Sequence, residues 1–267
     1  MNNSGIHPTA SIHPLAQLDP SVVVGPFAVI EAHTELAEGC CIGPHAVVHA
    51  HTVLHPNVRL GAHAIVGGVP QVRGFNLEIA SSTVIGEGTI IYEGVTIHRP
   101  SISGATTTIG PHCLLMAYAH VAHDCQLAEY VTLTNNVMVG GFVKIDRFAN
   151  VGGGAAIHQN VKVGAYTMIG AMSSVMYDMP PYTLAAQRNT LHGLNLVGLK
   201  RNRFTVEQIK DIKRVYQAVY NQPGDPIKAA RLALEQQIAQ TQQGLDFLNF
   251  FQESVRGCVL RPSSWRA

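Results

Sequence analysis

Charge is scarce in this sequence: only 13% of its 267 residues are Asp, Glu, Lys or Arg, and the formal net charge is +1. No chain-wide field therefore favours nucleic acid or an anionic membrane. Long apolar runs are missing too, with no stretch of about 18 apolar residues to span a bilayer. The opening MNNSGIHPTA has neither the charged nor the apolar segment of a secretory leader. A cytoplasmic protein is expected, with no nucleic-acid partner and no stable membrane insertion. The five cysteines, Cys40, Cys41, Cys113, Cys125 and Cys258, are odd in number and form no C-x-x-C pair, which disfavours a disulfide framework and a zinc knuckle. They read as free thiols. What the chain does have is 46% hydrophobic residues, enough for a sizeable core.

Those hydrophobic residues are periodic, with an aliphatic residue at every sixth position. Positions 6, 12, 18, 24, 30, 36, 42, 48, 54, 60 and 66 carry Ile, Ile, Leu, Val, Ile, Leu, Ile, Val, Leu, Leu and Val. The pattern resumes at Ile85, Ile91 and Ile97, then fills twelve consecutive slots from Ile109 to Val175. Four residues after the early slots stand small or β-branched residues, among them Ala10, Ala16, Val22, Ala28, Thr34 and Cys40. Gly and Pro follow the aliphatic slot in Val24-Gly25-Pro26 and Ile42-Gly43-Pro44, where they suit a corner between short strands. Each hexapeptide is thus one side of a triangular coil, and three sides make an 18-residue turn. Successive coils then pair as parallel strands about 4.8 Å apart. The predicted fold class is an all-β parallel β-helix of hexapeptide repeats over residues 1–190, followed by a small C-terminal α-helical domain over 191–267.

The register lapses at 67–84 and 98–108, where Gly, Ser, Thr and Pro dominate. Loop excursions are expected there, and loops on a rigid scaffold often carry binding groups. Beyond Val175 the periodicity ends. Thr205-Val206-Glu207-Gln208 reads as a capping box opening a helix to about residue 220, with further helical runs over roughly 226–241 and 243–256. Between 200 and 214, Lys200, Arg201, Arg203, Lys210, Lys213 and Arg214 stand against only Glu207 and Asp211. That stretch is either a solvated helix face or a dock for an acidic partner.

An 18-residue coil converts spacing into contact. His123 falls beneath Gly141 and Gln159, in a column that reads Ala105, His123, Gly141, Gln159. An imidazole can take a hydroxyl proton, and a glycine one coil above leaves a backbone N–H unshielded for a developing oxyanion, the two groups acyl transfer needs. Asp124 can orient the ring from the next position. Most of the 14 histidines, such as His7, His13, His49 and His55, follow an aliphatic slot where any polar residue would serve. His120, His123 and His158 stand apart, because 158 stacks above 140 and 122, beside the His123 column.

The segment LLMAYAHVAHDC at 114–125 resembles the active-site segment of the UDP-N-acetylglucosamine acyltransferase family, hexapeptide-repeat O-acyltransferases of lipid A biosynthesis. The resemblance covers nearly the whole chain, through VTIHR at 95–99, TNN at 134–136, AIHQ at 156–159, PPY at 180–182 and GLKR at 198–201. It implies a left-handed β-helix, a homotrimer with active sites between subunits, and no cofactor or metal. The implied reaction moves a 3-hydroxyacyl chain from acyl carrier protein to the 3-hydroxyl of a UDP-amino sugar, UDP-N-acetylglucosamine. By position His123 matches the general base, Asp124 its orienting carboxylate, and Gly141 the oxyanion N–H. His120, His158, Gln159 and Gln71 match substrate-binding positions, while Asn195 and Arg201 match positions that approach the nucleotide from a neighbouring subunit. Ala171 and Met172 fall at the chain-length ruler, where glycine admits a longer chain; an acyl chain shorter than the family's longest is implied. The basic 200–214 segment suits the acidity of the carrier protein.

Three positions depart from the family pattern. Phe142 stands where another active-site histidine is common, the loop VPQVRGFNL at 69–77 lacks the Gln-Asp-Leu-Lys run, and Val197 replaces a nucleotide-contacting carboxylate. These changes touch donor and acceptor contacts and spare the base and its orienter. Other readings are N-acylation of an amino sugar by the same groups, a paralogue that binds without catalysing, and a zinc enzyme like the γ-type carbonic anhydrases. Against the last, His120-x-x-His123 is too close for that family's H-x4-H pair.

Overall fold

In the computed structural model, residues 5–221, 224–254 and 256–261 are described, and they form a left-handed parallel β-helix with helices at its C-terminal end. Most strands are two residues long, one side chain outward and the next inward, as in His120–Val121 and Met138–Val139. They gather into sheets of nine, eight and ten strands among the described residues. Pairing climbs one coil at a time: His120 opposite Met138, Met138 opposite Ala156, Ala156 opposite Ser174. Every aliphatic slot from Val24 to Val175 is buried in one continuous core.

The corners explain which residues follow each slot. The third residue after it takes a left-handed backbone, with φ of 56–57° at His112, Tyr130, Phe148 and Tyr166. For a non-glycine residue that conformation costs about 1–2 kcal/mol. Stacked rings offset it: centroids lie 5.0 Å apart for His112 and Tyr130, 4.7 Å for Tyr130 and Phe148, and 4.8 Å for Phe148 and Tyr166, and each such pair contributes roughly 0.5–1.5 kcal/mol. His45 stacks on His63 and His33 on His51 in the same way, so many corner histidines are rungs of ring ladders. The second residue after the slot uses its carbonyl to accept from the next coil's third residue, as Pro26 does from the His45 N–H, but away from the excursions its own N–H donates to no backbone carbonyl among the described residues, and proline fits there at Pro26, Pro44, Pro56 and Pro111.

Both excursions are narrower than the lapse in periodicity. Residues 69–81 lie between strands Ile65–Gly68 and Ser82–Ile85, and residues 99–105 lie between Thr96–His98 and Thr106–Ile109. The β-branched residues at their ends keep pairing, Thr83 with Thr107 and Val84 with Thr108, without belonging to the six-residue slot. Both loops leave at the same corner, from the nine-stranded to the eight-stranded sheet. Arg99 clamps them together: its guanidinium donates to the carbonyls of Ile79 (2.5 Å) and Leu77 (2.9 Å) and to Ser81 Oγ (3.1 Å), and it lies 5.1 Å from the centre of the Phe75 ring.

The last coil closes with the antiparallel pair Thr183–Ala186 and Thr190–Leu194. Helices α1 (Leu196–Arg201), α2 (Val206–Tyr220), α3 (Pro226–Glu235) and α4 (Gln242–Phe250) follow. The Thr205–Gln208 capping box is formed. Helix α3 stops well before 241, because buried Asp211 accepts the N–H of Gln240 (2.8 Å) and of Thr241, and Thr241 in turn caps α4. Helix α4 gives way to a 3-10 turn at Phe251–Glu253. No described helix is long and apolar enough to cross a membrane.

The corner ladder makes an ordering of two variants testable. Phe148→Ala loses both stacking partners and keeps the left-handed strain, whereas Phe148→Gly loses the rings but relieves the strain. Glycine is expected to be the milder change, by about 1 kcal/mol in chemical denaturation; an alanine variant at least as stable as the glycine variant would contradict the left-handed strain at this corner.

Candidate active site

His123 and Asp124 are the second and third residues after the Val121 slot, at the corner where both excursions leave one and two coils earlier. Asp124 has the left-handed backbone of that position, φ 62°. Its side chain is only 5% exposed, against 18% for His123. The His123 Nδ1–H donates to Asp124 Oδ2 at 2.7 Å. With Nδ1 committed to a carboxylate, Nε2 is the bare nitrogen able to accept a proton.

Gly141 lies one coil above. A Cβ placed on it would stand 2.7 Å from His123 Cε1 and 2.9 Å from Nε2, so the ring occupies the space a side chain would need. Gly141 also holds the second corner position, where the carbonyl accepts from the next coil (the Asn160 N–H, 2.9 Å) but the N–H stays outside the inter-coil ladder. Its N–H has no acceptor among the described residues. The Phe142 N–H donates to the His123 carbonyl (3.0 Å), and its ring meets the imidazole edge-on at 5.3 Å. The departure at 142 thus packs against the base.

From this corner an open groove of about 310 Å³ runs over the nine-stranded sheet, with His120, Met138, Ala156, His158 and Ser174 along it and Met176 at the far coil. His120 Nδ1 is hydrogen bonded to Thr96 Oγ1 at 2.8 Å, and His98 meets its ring edge-on at 5.1 Å. Burial, with the neighbouring His123, lowers the His120 pKa from the ordinary imidazole value. Burial, and then the charges of His120, His123 and His49, push His98 down to about 4. The groove is lined mostly by apolar side chains with the His120 and His158 imidazoles among them, a surface suited to an aliphatic chain.

The structure brings together His120, His123, Asp124, Gly141 and His158, with exposed Gln159 on the coil above Gly141. The other expected residues have no contact with the His–Asp pair among the described residues. Gln71 is exposed in the first excursion. Asn195 is occupied within the chain, its Oδ1 capping α1 through the Gly198 N–H (3.0 Å) and its Nδ2 donating to the Tyr166 carbonyl (2.9 Å). Arg201 is exposed in the last turn of α1, and Val197 is 61% exposed. Ala171 and Met172 are exposed on the corner after Met168–Ile169, outside the groove lining. Of the basic segment, Arg214 pairs with Asp211, while Lys200, Arg201, Arg203, Lys210 and Lys213 are exposed. Among the described residues no three His, Cys, Asp or Glu side chains converge as a metal-ligand set.

Counting by 18 cannot extend the His123 column downward, because Thr96 stands 24 residues before its partner His120. What lies against the pair from below is the second excursion: the Ser101 N–H (2.9 Å) and Oγ–H (2.7 Å) both donate to Asp124 Oδ2. The Asp124 N–H donates to Thr107 Oγ1 at 3.0 Å. Neither Ser101 nor Thr107 was legible as part of the site, since both fall in the stretch where the period lapses.

Two families match. Residues 178–259 match the one described as UDP N-acetylglucosamine O-acyltransferase, domain 2, and residues 106–141 match the bacterial transferase hexapeptide family. An acyl-(acyl-carrier-protein)-UDP-N-acetylglucosamine O-acyltransferase of Halorhodospira halophila is 40% identical over 256 residues, 95% of this chain and 98% of the relative. One of Neisseria meningitidis serogroup B is 44% identical over 257 residues, again 95% and 98%. Among solved structures, LpxA from Acinetobacter baumannii superposes with a TM-score of 0.91 at 30% identity, covering 95% of this chain and 99% of that one. The UDP-N-acetylglucosamine acyltransferase of Campylobacter jejuni superposes at 0.89 and 32% identity, covering 96% and 100%.

The depressed His98 carries a consequence for acid stability. Above the ordinary value of 6.5 both folded and unfolded forms are neutral, and the group contributes no pH dependence. As pH falls from 6.5 toward 4 the unfolded chain takes a proton that the native state refuses, so stability is lost through that window. The stability drop between pH 7 and pH 5 is expected to shrink by about 2 kcal/mol in His98→Gln. Equal drops in the two proteins would refute the assignment.

Proposed function

The chain belongs to the UDP-N-acetylglucosamine O-acyltransferase family, and on that premise we propose that it transfers an acyl chain from acyl carrier protein to the 3-hydroxyl of UDP-N-acetylglucosamine, the first step of lipid A biosynthesis. The observation that carries the chemistry is the His123 imidazole, held by Asp124 through Nδ1 and seated against Gly141. His123 Nε2 takes the hydroxyl proton as the sugar oxygen attacks the thioester carbonyl. The carbonyl oxygen gains negative charge and receives the Gly141 N–H, a donor fixed by the corner before the reaction begins. Asp124 stabilises the imidazolium, which returns its proton to the departing carrier thiol. No cofactor is called on.

The acyl chain lies in the groove past His120, His158 and Met138, and Gln159 meets the acceptor near the base. In this reading a homotrimer completes the site, bringing Asn195 and Arg201 of a neighbouring subunit to the nucleotide, with Gln71 a further substrate-binding residue; the groove, open to one side in a single chain, leaves room for a second subunit. The acidic carrier protein docks on Lys200, Arg201, Arg203, Lys210 and Lys213, all exposed. A cytoplasmic location is supported by five free cysteines.

The test is incubation of the purified protein with carrier thioesters and UDP-N-acetylglucosamine or its 3-amino counterpart, with products identified by mass and by alkaline lability. An ester on the 3-hydroxyl is expected, and an amide alone would move the assignment to N-acylation. His123→Ala should lower kcat by about 10²–10⁴-fold; an unimpaired His123→Ala enzyme would remove the base.

Chain length supplies a second test. Ala171 is proposed to shorten the accepted chain relative to a glycine ruler, so Ala171→Gly is expected to move preference toward longer thioesters. Each added buried methylene is worth about 0.8 kcal/mol, or about fourfold in kcat/KM. An unchanged ranking across thioesters of graded length would exclude Ala171 as the ruler.

A further inference from the structure

The second excursion adds chain that a regular coil does not need. A regular coil places paired residues 18 apart, yet Thr96 and His120 are 24 apart. The extra chain brings Ser101 against Asp124 from the coil below. Among the described residues, Asp124 Oδ2 accepts only from His123 Nδ1 and from the N–H and Oγ–H of Ser101, and Oδ1 is buried without a partner. A buried carboxylate held by a single imidazole could rotate about its side-chain torsion and carry the ring with it. Two donors from one residue, at 2.9 and 2.7 Å, fix that rotation. Ser101 is fixed in turn by its neighbours, since Arg99 binds the Leu77 and Ile79 carbonyls and the Pro100 carbonyl accepts from Ser81 Oγ at 3.0 Å.

We infer that Ser101 is a positioning residue for the reaction, holding the Asp124 carboxylate so that His123 Nε2 faces the acceptor hydroxyl, an inference that rests on His123 and Asp124 acting as base and orienter. Ser101 touches no reacting atom. Its hydroxyl also sets how much negative charge the carboxylate presents to the imidazolium, because each donor on Oδ2 draws off part of it. Removing that donor therefore both loosens the ring and makes Asp124 attract a protonated His123 more strongly.

The experiment compares Ser101→Ala, Ser101→Cys and Ser101→Thr with the wild type in the full-length protein, following kcat, both KM values and the pH profile of kcat/KM. Loss of one hydrogen bond to a charged group is expected to lower kcat about tenfold in the Ala and Cys variants, with both KM values within about twofold. The acid limb of the profile should move to higher pH in these two and return toward the wild-type position in Ser101→Thr, which restores the hydroxyl. Cysteine keeps the volume, so the inference remains testable if the alanine variant assembles poorly. Unchanged kcat and acid limb in Ala and Cys would overturn the positioning role, as would equal losses in all three variants, which would mean that loop packing alone matters. His123→Ala in parallel separates the two levels: an active His123→Ala enzyme defeats the base assignment, whereas an inactive one beside a normal Ser101→Ala defeats only this inference.

Discussion

The corner of the β-helix is the constraint on which the rest depends. Each regular corner turns by leaving one residue's N–H outside the inter-coil hydrogen-bond ladder and placing the next residue in a left-handed backbone. At other corners these positions carry structural solutions, with proline at the first in Pro26, Pro44, Pro56 and Pro111 and stacked rings at the second in His112, Tyr130, Phe148 and Tyr166. At the corner of His123 and Asp124 they are used for chemistry. The imidazole takes the first position, the carboxylate the second, and both are as rigidly placed as the sheet. A base that needs orientation within a few tenths of an ångström gains more from that setting than from a loop.

The surroundings divide the labour among similar side chains. His98 and His120 lie on the same face as His123 and share its neighbourhood, but burial keeps both below the usual imidazole pKa. Only His123 is paired with a carboxylate among these three. Packing neutral imidazoles around the one with a charge partner limits competition for the proton and keeps the groove compatible with an alkyl chain. Phe142 continues that trend, placing an apolar edge against the base.

The scaffold was largely legible in the sequence, and the site only where the same period held. The six-residue slots of Val24 through Val175 fall in the core, and the stacking of His123 beneath Gly141 follows from counting. Ser101 was invisible for the same reason that Gly141 was visible: its contact to Asp124 spans an excursion, and no period predicts where a loop returns. Asn195 shows another limit. Its side chain is committed to capping α1 and to the Tyr166 carbonyl, a tertiary arrangement that resemblance by position does not reveal. The early end of α3 has the same origin, since Asp211, from α2, draws the backbone at Gln240 and Thr241 out of the helical run.

Gly141 concentrates two requirements that oppose one another elsewhere in the fold. Proline is the frequent solution at its corner position, as at Pro44 and Pro56, because no N–H is needed there. An oxyanion site requires that N–H, which excludes proline. Any residue with a Cβ would supply the N–H but would stand 2.7 Å from the His123 ring, pushing the base from its carboxylate. Only glycine provides the donor and vacates the space. The residue is fixed here by what it lacks as a side chain and what it keeps as a backbone, although its φ lies outside the left-handed region where glycine is usually invoked.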